Sequence, residues 1–257
     1  MKIRPVLAFI LAGVIAIISC KKTVYINPVH PTDYFIPLQV GKYALYRLDS
    51  LNFYFYGQLD TTTSYLAKDS VEASFTDGTG DTAWRVVRYQ ANINTPTVWV
   101  PSQTYVVTPS LQRVEVTENN LRYVKLAFPV DEGFTWLGNT YLPYNPYKDF
   151  FSYSDDSHLD LSLWNFSYKN VNTTLTVNGK KYDSTITVLS AADSLNVPIV
   201  DDSTFGSMTY WSETYAKHIG LISRSTKLYE YQPPTPDGTQ HGYKIGFQMV
   251  MTLLDHN

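Results

Sequence analysis

The dipeptide Asn178-Gly179 joins two runs of alternating side chains, and that pattern leaves little choice of local fold. Both residues accept the positive φ of a type I′ turn, whose twist matches that of two antiparallel strands. With a two-residue loop, Val177 faces Lys180, Leu175 faces Tyr182 and Val171 faces Ile186. One face of the ribbon then carries Val171, Leu175, Val177, Tyr182, Ile186 and Val188. The other carries Asn172, Thr174, Thr176, Lys181, Asp183, Thr185 and Thr187. The expectation is an antiparallel hairpin with one buried and one wet face.

Further hairpins are expected where Val71 to Phe75 and Trp84 to Tyr89 flank Asp77-Gly78-Thr79-Gly80-Asp81. Leu111 to Val116 and Leu121 to Leu126 flank Glu118-Asn119-Asn120 in the same way. Ile245, Phe247, Met249, Met251 and Leu253 alternate with smaller or polar residues, as a long last strand would. The 21 Tyr and 27 Thr favour pleated structure, and no convincing 3.6-residue period competes. The fold class is mainly β with little helix: a single antiparallel curved sheet, barrel-like or half-barrel, or a sandwich.

The N-terminus reads as an address. Lys2 and Arg4 precede an uncharged apolar stretch from Val6 to Ile18, which is too short for the roughly 20 residues of a spanning helix. It fits the central region of a secretory signal. Ile17-Ile18-Ser19-Cys20 resembles the bacterial lipobox, in which cleavage precedes a diacylglycerol-bearing cysteine. Residues 1–19 are therefore expected to be a signal peptide and Cys20 the lipidated residue. Residues 20–33, with Pro28 and Pro31, would form an extended tether, and residues 34–257 one β domain. Cys20 is the single cysteine, so once it is lipidated no disulfide, zinc-thiolate site or cysteine nucleophile remains. The net charge of −3, without any basic stripe, argues against a nucleic-acid partner.

Two segments carry a resemblance. Tyr34-Phe35-Ile36-Pro37-Leu38-Gln39-Val40-Gly41-Lys42-Tyr43-Ala44-Leu45-Tyr46 resembles the opening of a group of uncharacterised Bacteroidota lipoproteins. Glu213-Thr214-Tyr215-Ala216-Lys217-His218-Ile219-Gly220-Leu221-Ile222 resembles their closing motif, and Phe128-Pro129-Val130 to Asn139 is similar to their middle. The resemblance implies no activity. In physical terms Gly41 and Gly220 stand where strands begin.

Catalytic motifs are few. The chain has no phosphate-cradling Gly-rich loop, nucleophile elbow or His-Glu-x-x-His, so it is not expected to be an enzyme or to need a cofactor. Its five His are scattered, and no metal is expected. Asp155-Asp156-Ser157-His158 reads as a solvated loop. A glycan hydrolase would need paired carboxylates, drawn from residues such as Asp155, Asp156 and Glu213. Asp77 to Asp81 places oxygen ligands at alternate positions but lacks the further acids of a Ca²⁺ loop. The aromatic stretch from Phe134 to Tyr153 is interrupted by Pro143 and Pro146, so not all its rings can alternate into a core. Trp136, Tyr141, Tyr144 and Tyr147 are the candidate contacts for an apolar or glycan ligand.

Asp-Ser or Asp-Thr followed by a further aliphatic or Thr residue resembles the O-glycosylation sequon of Bacteroidota envelope proteins. It places candidate sites at Ser50, Thr61, Ser70, Thr82, Ser184, Ser194 and Ser203. Chance at this composition gives about one such triplet. Lys21-Lys22-Thr23 stands where surface-exported lipoproteins carry an acidic signal, so the outer membrane's periplasmic face is the expected location. The expected role is a non-enzymatic binding or scaffolding module, with a hydrolase or a purely structural protein as alternatives. The sequence leaves the oligomeric state open.

Overall fold

A computed structural model of the protein describes residues 29–257. The expected signal peptide and Cys20 lie outside the described residues. Twelve strands follow in chain order: β1 (Tyr43–Tyr54), β2 (Leu59–Thr76), β3 (Thr82–Asn92), β4 (Val100–Pro109), β5 (Arg113–Glu118) and β6 (Leu121–Ala127), then β7 (Thr135–Leu137), β8 (Asn165–Val177), β9 (Lys180–Leu195), β10 (Gly206–Ala216), β11 (Gly220–Gln232) and β12 (Tyr243–His256). They form one antiparallel sheet in the order β6-β5-β4-β3-β2-β1-β12-β11-β10-β9-β8-β7. All neighbours are consecutive in sequence except β1 and β12, which join the chain's two ends.

The two edges of this sheet approach each other. The Val124 amide on β6 donates to the Gly138 carbonyl just past β7 (2.7 Å), and the Trp136 indole N–H donates to Val124 O (2.8 Å). The sheet is thus a nearly closed barrel, which resolves the choice among barrel, half-barrel and sandwich. Sequestering the edge groups this way removes a template for aggregation.

Because successive strands run in opposite directions, the connections sort to two ends. Turns 77–81, 110–112, 178–179 and 217–219 lie at one end with the N-terminal segment. Loops 55–58, 93–99, 119–120, 138–164, 196–205 and 233–242 lie at the other, hereafter the loop end.

The first end is closed by the chain's own start. Pro31–Tyr34 forms a 3₁₀ turn, and Tyr34 and Ile36 are buried in the main core with Tyr46, Val114 and Ile222. Asp33 O accepts from the His218 amide (2.6 Å). Gly220, at φ +103°, has no room for a side chain, since a Cβ there would stand 2.6 Å from Ile36 N. Residues 31–33, expected in the tether, belong to the packed domain, and the expected tether up to residue 28 lies outside the described residues.

The expected hairpins form, with one departure. Val177 faces Lys180 and Leu175 faces Tyr182, but Thr173 pairs with Thr185 and Tyr168 with Val188, so Val171 does not face Ile186. Asn170, Asn172 and Ser184 take positive φ and break the register. The consequence is local inversion: Thr185, placed by strict alternation on the wet face, is buried, whereas Leu175, placed on the buried face, is exposed. A period-2 reading cannot see bulges, because each shifts the phase by one residue.

Candidate functional site

The barrel's interior is not uniformly apolar. Arg88 on β3 makes two bonds to Asp69 on β2, Nε to Oδ1 (2.6 Å) and Nη2 to Oδ2 (2.7 Å), and Tyr105 Oη donates to the same carboxylate (3.0 Å). Across the lumen, Glu213 on β10 accepts from Lys125 Nζ (2.8 Å) and Tyr215 Oη (2.5 Å). Arg224 Nε on β11 lies 2.8 Å from Glu213 Oε1 without its N–H directed at that oxygen. Glu118 completes the group, 4.0 Å from Arg88 Nη1. Three cations therefore face three carboxylates, nearly all removed from solvent.

Such pairs stand only because each charge is answered. Burial alone would push the Glu213 carboxyl up, but Arg224 and Lys125 outweigh it and hold the group well below the usual carboxylate range. Lys125 does not gain in return. Burial and Arg224 pull its ammonium down by more than Glu213 restores. At neutral pH Glu213 is thus ionised.

Two spaces adjoin this layer. Towards the N-terminal segment lies a void of about 30 Å³, lined by Ile36, Asp69, Arg88, Tyr105, Tyr215 and Arg224 among others. That is room for a water or two, not for an organic ligand. Towards the loop end lies a chamber of about 230 Å³, whose lining mixes Arg88, Glu118, Arg224 and Thr226 with the rings of Tyr123, Tyr147, Trp211 and Phe247. Trp211 on β10 pairs directly with Thr226 on β11.

Loop 138–164 folds over this mouth. It carries the one-turn helix α1 (Asp156–Leu159), whose N-cap Asp155 accepts from the Ser157 amide. Glu230, wholly buried on β11, accepts from Ser154 N (2.7 Å), Asp155 N (2.6 Å) and Ser154 Oγ (2.9 Å). Tyr153 Oη donates to Leu228 O, and His158 Nε2 lies 3.1 Å from Met208 O. Asp155-Asp156-Ser157-His158, read as a solvated loop, is instead a plug fastened into the barrel, with His158 fully buried. Glu230, the residue that fastens it, gave no sequence signal beyond its place in an alternating strand.

A third space lies at the rim: a cleft of about 620 Å³ between the β1–β2 tip, loop 233–242 and loop 138–164. Phe53, Tyr56, Phe151 and Tyr243 supply rings, while Gln58, Gln240 and Lys244 supply donors. The volume is within the ~300–1,000 Å³ of small-ligand pockets. Gly57 O accepts from the Lys244 amide (2.7 Å), and a Cβ at Gly57 would stand 2.1 Å from Lys244 O, so this wall is pinned by backbone contact. Lys244 Nζ is tied to Asp60 (2.8 Å). Phe55 and Tyr56 occupy the left-handed region at φ 48° and 55°, yet are 72% and 94% exposed.

The four sequence-chosen aromatics divide. Trp136 is half-buried against Tyr168 and spends its indole N–H on closing the sheet. Tyr141 is exposed beneath the Arg122 guanidinium, and Tyr144 is exposed on loop 138–164. Tyr147 meets Phe247 edge-on and lines the inner chamber, and burial raises its phenol to about 12. The structure does not bring the four together. Of the rim rings, Phe151 lies in the aromatic stretch singled out from the sequence, whereas Phe53, Tyr56 and Tyr243 were missed, although aromatic residues rarely occupy a hairpin tip and the run Phe53-Tyr54-Phe55-Tyr56-Gly57 offered that signal.

Of the carboxylates named for a hydrolase, Asp155 caps α1, Asp156 is exposed on it and Glu213 lies in the charged layer. At Asp77, Oδ1 accepts from Thr79 N, Thr79 Oγ1 and Asp81 N, so its lone pairs are used within the turn. Among the described residues no group of three or more potential ligands could hold a metal ion. Of the glycosylation candidates, Thr61, Thr82, Ser194 and Ser203 are exposed, whereas Ser70 and Ser184 are half-buried. Ser50, also half-buried, pairs with Met249.

No protein-family model matches the chain, and no curated protein matches it. Among solved structures it is similar to a protein described as exported, with a YmcC-like fold, from Bacteroides fragilis NCTC 9343. That match has TM-score 0.39 and 10% identity, covering 88% of this chain and 99% of that one. It is also similar to a protein described as a lipoprotein from Parabacteroides distasonis ATCC 8503, at TM-score 0.34 and 10% identity over the same shares. The barrel described above stands on this chain's own strand register.

Proposed function

We propose that the protein is a lipid-anchored envelope protein whose barrel binds a glycan or another ligand with apolar faces at its loop end, without chemistry of its own. The rim cleft carries this reading. Rings from three separate segments converge there with side-chain amides and an ammonium, the mixture that stacks on a sugar's C–H face and bonds its hydroxyls. Holding two bulky aromatics in the left-handed region costs about 1–2 kcal/mol per residue, a cost that folding alone does not require.

Orientation supports the same reading. The first described residues pack at the closed end, opposite the rim, and a lipid on Cys20 would be attached upstream of that end. Lys21-Lys22-Thr23 favours the outer membrane's periplasmic face, and Thr61, Thr82, Ser194 and Ser203 are open to glycosylation.

The test is calorimetric titration of the full lipidated chain in nanodiscs with oligosaccharide fragments of the bacterial envelope. Tyr56→Ala is expected to weaken binding about tenfold or more, as central interface aromatics do, with an unchanged melting temperature. Equal affinity in wild type and variant would sink the rim as the binding site.

A further inference from the structure

A cleft of about 430 Å³ lies on the outer wall of the barrel, lined by Tyr43, Leu45, Lys68, Tyr89 and Trp99, and shares no residue with the rim cleft. The strand register brings these side chains together. Leu45 on β1 pairs with Lys68 on β2, and Lys68 pairs with Tyr89 on β3, so the three form one row across the sheet. Their chain neighbours Ala44, Tyr46, Ala67, Asp69 and Arg88 are buried, so the row points outward. Tyr43 stands two residues from Leu45 on the same face, and Trp99 comes from loop 93–99 just before β4. The outer face of an antiparallel barrel has only to be wet, and small polar residues would serve. Three rings and a leucine gathered round one lysine need another reason.

The polar groups of the cleft leave one charge over. Tyr43 Oη donates to Asp255 Oδ2 (3.1 Å) and Tyr89 Oη donates to Glu72, so both phenol protons are used. Glu72 also lies 3.9 Å from Arg85, and Asp69, next to Lys68 in the chain, is held by Arg88 inside the barrel. The half-buried Lys68 ammonium stands 4.7 Å from the centre of the Tyr43 ring and has no ion-pair partner among the described residues. Trp99 is exposed beside it.

A cation of this kind, set among flat apolar faces, fits a ligand that brings one negative charge and one ring. A neutral sugar would leave Lys68 unanswered, and a small carboxylic acid would leave the rings uncovered. One ammonium balances one carboxylate, whereas a phosphate would carry up to two charges. The volume lies within the ~300–1,000 Å³ of small-ligand pockets.

We infer that this outer cleft binds a uronate, a sugar ring bearing a carboxylate, with the carboxylate on Lys68 Nζ and the ring's C–H face on Trp99. The site is separate from the rim and does not depend on the rim's ligand.

The experiment titrates the full chain, in nanodiscs of uncharged lipid, with glucuronate and galacturonate. Glucose and galactose serve as the same rings without the charge, and acetate as the charge without the ring. At least one uronate is expected to bind about fivefold or more tightly than its neutral sugar and than acetate. Lys68→Gln is expected to bring uronate affinity down to that of the neutral sugar at an unchanged melting temperature, and Lys68→Arg to keep most of it. Trp99→Ala is expected to weaken uronate binding about fivefold although the charge stays in place. Lys181→Gln, at an exposed lysine of the β8–β9 hairpin, is expected to change nothing. No uronate binding, equal affinity for uronate and neutral sugar, acetate binding as tightly as uronate, or unchanged affinity in Lys68→Gln or Trp99→Ala would each overturn the site. An equal loss in Lys181→Gln would do so too, since it would show a response to net charge alone.

Discussion

Two hairpin tips at opposite ends of the barrel both turn through left-handed residues and differ in which residues those are. At the closed end Asn178 and Gly179 turn the chain from β8 to β9 at φ 49° and 74°. At the loop end Phe55, Tyr56 and Gly57 turn it from β1 to β2 at φ 48°, 55° and 77°. Asn and Gly enter the left-handed region at little cost, and they appear where a turn has only to turn. Aromatic rings enter it against their preference and stand out into water. Most of the other exposed large apolar side chains, Tyr54, Trp99, Tyr144 and Phe150 among them, also belong to loop-end segments. One end of the molecule is arranged for folding and the other carries features that folding does not explain.

Breaking the closed end should show the largest effect. Gly220→Ala would set a Cβ 2.6 Å from Ile36 N at a φ of +103°, forcing the N-terminal segment off the barrel. A loss of about 3 kcal/mol is expected, read by denaturant unfolding at constant slope. A loss below about 0.5 kcal/mol would mean that the segment is not part of the closure.

The loop-end plug should respond to pH. Burial lowers the His158 pKa below 6.5, and Met208 O, Asp155, Glu230 and Asp193 only partly restore it. Between the folded and unfolded values the unfolded chain binds more protons, so stability falls as pH drops below about 6.5, by at most ~1.4 kcal/mol per pH unit. Melting temperatures from pH 7.5 to 5 should show this fall, and His158→Gln should flatten it. The same slope in both proteins would assign the effect to other groups.

The smallest effect sharpens the comparison most. Phe55→Asn should raise stability by about 1 kcal/mol, because Asn suits the left-handed backbone that Phe resists. Destabilisation on denaturant unfolding would show that the exposed ring packs against the fold after all, and that the two tips differ less than they look.

The fold was legible because its signals are local. The Asn178-Gly179 turn, the Asp77 to Asp81 turn and the alternation of Ile245 to Leu253 each lie within a few residues, and each formed where expected. The bulge at Ser184 was not legible, since Ser carries no mark of positive φ. The site was far less legible. Trp136 looked like a ligand platform because it is aromatic and near prolines, but its indole N–H was claimed by Val124, twelve residues upstream and on the opposite sheet edge.

By itself the sequence determined the strands and their antiparallel sense, both of which depend on neighbours along the chain. Only the tertiary structure decided that the sheet closes, that residues 31–36 stop one end, and that Asp69, Arg88, Lys125, Glu213 and Arg224 share one charged layer. These residues sit on five different strands, with Lys125 and Glu213 88 positions apart. Closing a sheet brings such positions across a lumen, and no periodicity along the chain records which residue will be opposite which.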